Sequence, residues 1–284
     1  MTKTKTKDVG AKAIGEEVRD AIESGGWEGL HFTMPQLDAK LYQKVKKVME
    51  ACGGKWNRKA AAIIFEDEDA KASMIAAGET GTYIDLKKAF QQFDTPELVV
   101  EDLIEKLDIP SDKDLTLRFL EPSAGLGNMI GPLMDIESAE SMNFQIIAVE
   151  LDPKRVKHLK TELTCNIVNE GDFLDVTLED IDGAVDYVIM NPPFTRGQDI
   201  DHVLHAFEFL KPGGKLIAIM APGWRFYGTK KADAFRNFVK ENGEQHDRGG
   251  ENYGYLPEGT FKASGTNIKT TWVLLQKPND SKTS

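Results

Sequence analysis

The chain has 284 residues, 40% of them hydrophobic, which is enough to bury one α/β core with a smaller unit attached. Its net charge of -11 argues against a surface that is basic all over, and Cys52 and Cys165 lie far apart outside any Cys-x-x-Cys or Cys/His cluster, so neither a disulfide framework nor a zinc site is expected. The longest apolar stretches, around Phe144 to Val149 and Leu216 to Ala221, are of strand length; no membrane span and no signal peptide is expected, and the expected location is cytoplasmic.

Met1 to Asp8 can bury nothing and reads as a tail. Ile14, Val18, Ala21 and Ile22 then recur at helical spacing until Ser24-Gly25-Gly26, giving a tail and short helix over residues 1–29. From Leu37 to Cys52 the apolar positions Leu41, Val45, Val48 and Met49 predict a second helix; Gly53-Gly54 stops it, and Lys55 to Phe65 reads as strand or hairpin. Residues 30–92 are thus expected to form a small α+β module. Between Lys40 and Ala60 stand Lys40, Lys44, Lys46, Lys47, Lys55, Arg58 and Lys59 against Glu50 alone, with Tyr42 and Trp56 among them. This is the one strongly basic region, and Lys55, Trp56 and Arg58 are candidate substrate contacts; the same residues also suit a solvated helix face with Trp56 packed in a small core.

A second pattern begins at Thr95-Pro96-Glu97, a capping hydroxyl followed by proline at the first helical position, with Val99, Val100, Leu103, Ile104 and Leu107 forming the apolar stripe and Pro110 closing it. Strand candidates follow at Leu115 to Leu120, Gln145 to Glu150, Asp186 to Met190 and Lys215 to Ala221, separated by helical segments, and a last one at Asn267 to Gln276. That alternation predicts an α/β domain with a parallel sheet and crossover helices over residues 93–278, leaving 279–284 as a tail. Asp152-Pro153 opens a helix, and Leu210 to Gly214 reads as a turn into the next strand.

The chemistry concentrates at strand ends. Leu115 to Leu120 runs into Glu121-Pro122-Ser123-Ala124-Gly125-Leu126-Gly127, a turn where glycines let the backbone approach a ligand and Glu121 can hold an amine. Ile130 stands where a dinucleotide fingerprint needs its third glycine, so the nicotinamide pattern is not met. Glu150 at the tip of the next strand suits ribose hydroxyls, and Gly171-Asp172-Phe173 after a short strand from Asn166 to Val168 suits an adenine amine and ring. At the fourth strand end stands Asn191-Pro192-Pro193-Phe194. Its prolines impose an extended backbone, so that the Asn191 side-chain oxygen and the Pro192 carbonyl can converge on one NH2 group, with Phe194 as a stacking face.

These residues resemble the class I S-adenosylmethionine-dependent amino-methyltransferases, whose signature is Asp/Asn/Ser-Pro-Pro-aromatic, and Asn-Pro-Pro-Phe resembles the adenine N6 branch. The resemblance runs from Phe93 to about Lys277: Phe93-Asp94-Thr95-Pro96 is similar to the family's first cofactor motif, Glu121 to Gly127 to its glycine motif, and the motif order is that of the γ arrangement. It implies a Rossmann-like class I methyltransferase sheet with helices on both faces, and S-adenosyl-L-methionine as cofactor. Phe93, Thr95, Pro96, Glu121, Ala124, Gly125 and Gly127 would then line the methionine part, Glu150 the ribose, and Asp172 with Phe173 the adenine; Asn191, Pro192 and Phe194 would be catalytic. Phe261 in the loop Leu256 to Thr266 would cover the target base. The stretch from Leu41 to Phe65 is similar to a module of phage- and plasmid-borne adenine methyltransferases.

The family normally reads DNA through a sizeable domain after its last core strand, whereas this chain ends just past Lys277, so reading is expected to fall to the amino-terminal module, to the loop Gly223 to Lys231 with Trp224, Arg225 and Lys230, or to a partner subunit. The expected function is methyl transfer to adenine N6 in DNA. Alternatives are RNA adenine, a protein glutamine amide, or a catalytically silent accessory subunit. His202 and His205 lie three apart on a helix without a third ligand and read as surface histidines; Lys230-Lys231 read as solvated, and Arg248-Gly249-Gly250 with Tyr253 and Tyr255 as a mobile loop near substrate.

Overall fold

The computed structural model describes residues 12–65, 67–83, 94–163, 165–243, 252–262 and 269–279. Phe93, Arg248 to Gly250 and Ala263 to Asn267 of the expectations above lie outside them. The chain divides into two units, Met1–Gln92 and Phe93–Ser284.

The first unit runs β1 (Lys12–Ala13), α1 (Glu16–Glu23), β2 (Gly26–Glu28), β3 (His31–Thr33), α2 (Ala39–Ala51), β4 (Lys55–Asn57), β5 (Ala62–Ile64), α3 (Glu68–Thr80) and β6 (Thr82–Tyr83). Four strands form an antiparallel sheet in the order β2-β3-β5-β4, and β1 pairs with β6. Helix α1 starts at Glu16 rather than Ile14, because Gly15 is extended and the Ile14 N–H is taken by the Gly81 carbonyl. Val18, Ala21 and Ile22 of α1 share one core with Val45, Val48 and Met49 of α2 and with Phe32 and Ile63 of the sheet. Asp38 caps α2 by accepting the N–H groups of Lys40 and Leu41.

Lys55 to Phe65 is a hairpin, its tip closed by the Asn57 side chain accepting from Lys59 N and Ala60 N at 3.0 and 3.1 Å. Trp27, Phe32, Ile63 and Trp56 stand in one row across the sheet. Trp56 ends that row on the edge strand β4 and is 50% exposed instead of packed in the core.

The second unit runs α4 (Glu97–Leu107), β7 (Thr116–Glu121), α5 (Gly131–Glu140), β8 (Asn143–Glu150), α6 (Pro153–Thr161), β9 (Ile167–Glu170), β10 (Val185–Met190), α7 (Gln198–Glu208), β11 (Leu210–Met220), α8 (Lys230–Asn242), β12 (Tyr253–Tyr255) and β13 (Thr271–Gln276). The sheet order is β12-β13-β11-β10-β7-β8-β9, parallel from β9 to β11, with β13 antiparallel to β11 and to β12. Alternate side chains feed two cores: Phe119, Ile146, Ile189 and Ile217 face the side covered by α4 and α5, and Leu120, Ile147, Val188 and Leu216 the side covered by α7 and α8. The α/β fold with helices on both faces is the one the sequence predicts. Leu210 to Gly214, expected as a turn, lies inside β11 and carries a bulge: the register passes from Val185–Leu210 to Tyr187–Lys215, and Lys211 holds Asp186 at 2.8 Å.

Candidate active site

The chain leaves β7 toward β8 and β9 on one side and returns to β10 and β11 on the other. The carboxyl ends of β7 and β10 therefore adjoin at the point where the strand order reverses, the place where open α/β sheets bind ligands. Glu121 closes β7, and Asn191-Pro192-Pro193-Phe194 follows β10 directly.

Glu121 is buried. Its Oε1 accepts the Ser123 N–H at 3.0 Å, while Oε2 has no hydrogen-bond partner among the described residues. Burial first, then the neighbouring Glu150 charge, push its carboxyl well above the usual range, against the lowering Ser123 bond. Gly125 and Gly127 sit at φ 58° and 82°, which favour glycine, and a Cβ on Gly127 would meet Leu163 at 2.0 Å. Glu150, at the end of β8, accepts Gly125 N at 2.7 Å and Asp152 N at 2.8 Å, tying the glycine turn to the neighbouring strand. The Ala124 N–H bonds the Val149 carbonyl at 3.0 Å. The Arg155 guanidinium lies over the turn, 2.9 Å from where a Gly125 Cβ would be.

In the Asn-Pro-Pro-Phe loop Asn191 and Phe194 are partly buried and Pro192 is buried, and Phe194 takes φ -92° and ψ -15°. Asn191 Nδ2 donates to the Thr95 hydroxyl at 3.0 Å. Thr95 was expected to cap α4, but the helix starts at Glu97 after an extended Pro96, without a side-chain cap, and the buried hydroxyl serves the loop 96 residues later. Beyond the loop, Arg196 and Gly197 adopt φ 57° and 72°. Lys231, expected to be solvated, donates to the Gly197 carbonyl at 2.7 Å and to Asp201 at 2.6 Å. Buried Asp199 accepts the Ala221 N–H at 3.0 Å; burial pushes its carboxyl up to about 6, against the bonds from Ala221 and Ile200 and the Lys231 charge. These contacts join the loops after β10 and β11.

A family model described as methyltransferase small domain matches residues 112–243. No curated protein matches the chain by sequence. Among solved structures, a protein from Listeria monocytogenes assigned to the class I S-adenosylmethionine-dependent methyltransferases is 19% identical over 85% of this chain and 82% of its own, with a TM-score of 0.52. The methyltransferase subunit of a type I restriction-modification system from Streptococcus thermophilus is 16% identical over 76% of this chain and 53% of its own, at 0.54. A modification subunit of a type I restriction enzyme from Vibrio vulnificus is 16% identical over 87% and 56%, at 0.51, so this chain spans about half the length of the two restriction-modification subunits. The fold is the class I methyltransferase fold.

Family model and fold support an S-adenosylmethionine-dependent methyltransferase and imply S-adenosyl-L-methionine as its cofactor. The residues fit that group. An orphaned buried carboxylate oxygen on Glu121 suits an ammonium, the glycine turn admits close approach, and each Glu150 oxygen keeps a second acceptor site beside its backbone bond.

Other expectations are corrected by packing. Phe173 is buried against His202, His205 and Phe209, so it offers no face to an adenine, whereas Asp172 beside it is partly exposed and caps the following turn through Leu174 N. Trp224 is 5% exposed and bonds Thr271, which removes it from substrate contact. Phe261 is fully buried in the core on the α4 side and anchors its loop instead of capping a base. His202 is buried, not on the surface; desolvation lowers its pKa to about 4, against the raising charges of Asp172 and Asp201 and with a small lowering from His205, so it is neutral at neutral pH. Among the described residues no cluster of three potential metal ligands exists, and no helix is long and apolar enough to cross a membrane.

Asp199, Lys231 and Arg155 were missed as site-organising residues, and Thr95, expected at the cofactor, was not foreseen as the partner of Asn191, because these partners lie far along the chain or across the sheet. The only signal was the Thr-Pro pair ahead of a helix, which reads locally as a cap.

Proposed function

We propose that the protein transfers a methyl group to the exocyclic N6 amine of adenine in DNA. The observation carrying this reading is the Asn191 carboxamide at the end of β10, whose nitrogen is engaged by the buried Thr95 hydroxyl. With Nδ2 committed to Thr95, Oδ1 is the carboxamide's acceptor for an amine, and the Pro192 carbonyl is the second. Two acceptors on one NH2 draw its lone pair out of ring conjugation, which makes a weak nucleophile reactive without a strong base. Phe194, partly exposed, supplies a face for the flipped base, whose extraction costs a few kcal/mol.

Bound S-adenosyl-L-methionine supplies an electrophilic methyl. Glu121 and the Gly125 to Gly127 turn hold its methionine part with Ala124, Thr95 and Pro96, Glu150 its ribose, and Asp172 its adenine amine. In the first unit, exposed Lys55, Trp56 and Arg58 of the hairpin contact the nucleic acid backbone and bases. A partner subunit for sequence recognition accords with the restriction-modification assemblies to which the similar structures belong.

The test is incubation of the purified chain with labelled cofactor and, separately, duplex DNA, RNA and protein extract, followed by digestion and analysis for N6-methyladenine. Label in DNA N6-methyladenine is expected, and Asn191→Ala should abolish it while leaving cofactor affinity nearly unchanged. Label only in RNA or in glutamine would replace the substrate, and label nowhere despite cofactor binding would overturn the enzymatic reading.

A further inference from the structure

Immediately after β11 the chain turns through Pro222 to Arg225, burying Trp224 and leaving the next two rings in solvent: Phe226 is 61% and Tyr227 59% exposed. Adjacent large exposed rings call for an explanation. The turn beneath them is braced: Trp224 Nε1 donates to Thr271 at 3.2 Å, its ring packs on Phe235 and Tyr253, and the Arg236 guanidinium bonds the carbonyls of Trp224 and Tyr227 at 2.6 and 3.0 Å. Beside them the Arg225 guanidinium lies over both Tyr253 and Tyr255, 4.7 and 4.6 Å from the ring centroids, and Tyr255 is 56% exposed. These rings are thus held in place before any ligand arrives.

Register places this ledge. Met190 pairs with Ala218, Ala218 with Val273, and Val273 with Tyr253, so Tyr253 shares a row with the residue before Asn191, and Tyr255 lies toward the same carboxyl end. Three strand steps separate them, about 14 Å at the usual spacing, or roughly four base rises of a nucleic acid strand. Charge identifies the occupant. Phe93–Ser284 holds 32 acidic against 20 basic residues, yet Pro222 to Lys231 contains Arg225, Lys230 and Lys231 and no acid. Aromatic faces interleaved with cations in an otherwise acidic unit fit a polyanion with planar groups.

We propose that Phe226, Tyr227, Tyr255 and the Arg225 guanidinium form a stacking ledge for unpaired bases of the substrate strand within about four nucleotides of the target adenine. This rests on the nucleic-acid reading of the catalytic loop. The ledge stacks bases whose faces are free, so it favours strands opened around the target over an intact duplex.

The experiment uses the full chain with S-adenosyl-L-methionine and single-stranded and duplex DNA carrying 2-aminopurine in turn at each position within about four nucleotides of the target adenine, reading anisotropy, fluorescence quenching and methyl transfer. Wild type is expected to bind the single strand more tightly and to quench the probe. Phe226→Ala and Tyr255→Ala should each weaken single-strand binding by roughly 5- to 150-fold, the span of one base–aromatic stack, and relieve quenching. Tyr255→Phe should preserve both, and cofactor affinity should be unchanged in all three. Variants that bind cofactor yet hold and quench the oligonucleotide as wild type does would overturn the ledge alone. Wild type that neither binds nor methylates DNA would overturn the function proposed above and the ledge with it.

Discussion

Replacing Thr95 by valine keeps the shape of a buried side chain and removes one oxygen, the acceptor that Asn191 Nδ2 uses at 3.0 Å. A donor stripped of its buried partner costs about 1 to 3 kcal/mol, and in the aligned loop that penalty falls on the reactive arrangement, since a rotated carboxamide can seek another partner. If all of it enters the barrier, the rate falls roughly 5- to 150-fold at about 1.4 kcal/mol per factor of ten. Thr95→Ser keeps the oxygen and should stay close to wild type. The assay is single-turnover methyl transfer with cofactor affinity measured separately by calorimetry. A folded Thr95→Val variant with an unchanged rate would refute the argument that this hydrogen bond orients the carboxamide, and so would a loss confined to cofactor binding.

Glu121 titrates above the ordinary carboxylate range, so it is neutral below its shifted pKa and ionised above it. Only the ionised form attracts an ammonium, so cofactor affinity should rise with pH through that titration, and Glu121→Gln should flatten the profile. The same shift makes the cofactor-free fold lose stability as pH rises from the unfolded pKa toward the folded one, because the folded state holds the extra proton; thermal melts across that window check the sign. Removing Lys55, Arg58 and Lys59 together should lower DNA affinity at low salt and reduce the slope of log affinity against log salt by about 0.9 per lost phosphate contact, with melting temperature unaltered because all three are exposed. Phe261→Ala should destabilise the second unit by roughly 3 to 5 kcal/mol, seen in denaturant unfolding; lost transfer with unchanged stability would restore Phe261 as a base cover.

The sequence by itself determined the α/β alternation, the strand ends and the chemical identity of the groups on them. Apolar strand-length runs, the Asp152-Pro153 helix start and the glycine turn are local signals. It also showed that the backbone of Asn191-Pro192-Pro193 is biased away from helix, since proline restricts its own backbone and that of the residue before it, whereas Phe194 takes helical dihedrals at the start of the next turn. What only the tertiary structure decided is which face each side chain meets. Phe173, Trp224 and Phe261 looked available for ligands because an aromatic in a loop carries no record of its burial, and the core claimed all three. Trp56 went the other way, half exposed at the end of its row while Trp27 at the opposite edge packs on Phe32 and Phe65. Thr95 shows the physical reason most directly: a hydroxyl before a helix can cap it or serve a distant partner, the two bonds are close in energy, and the packing of α4 against β10 and β11 gave it to Asn191.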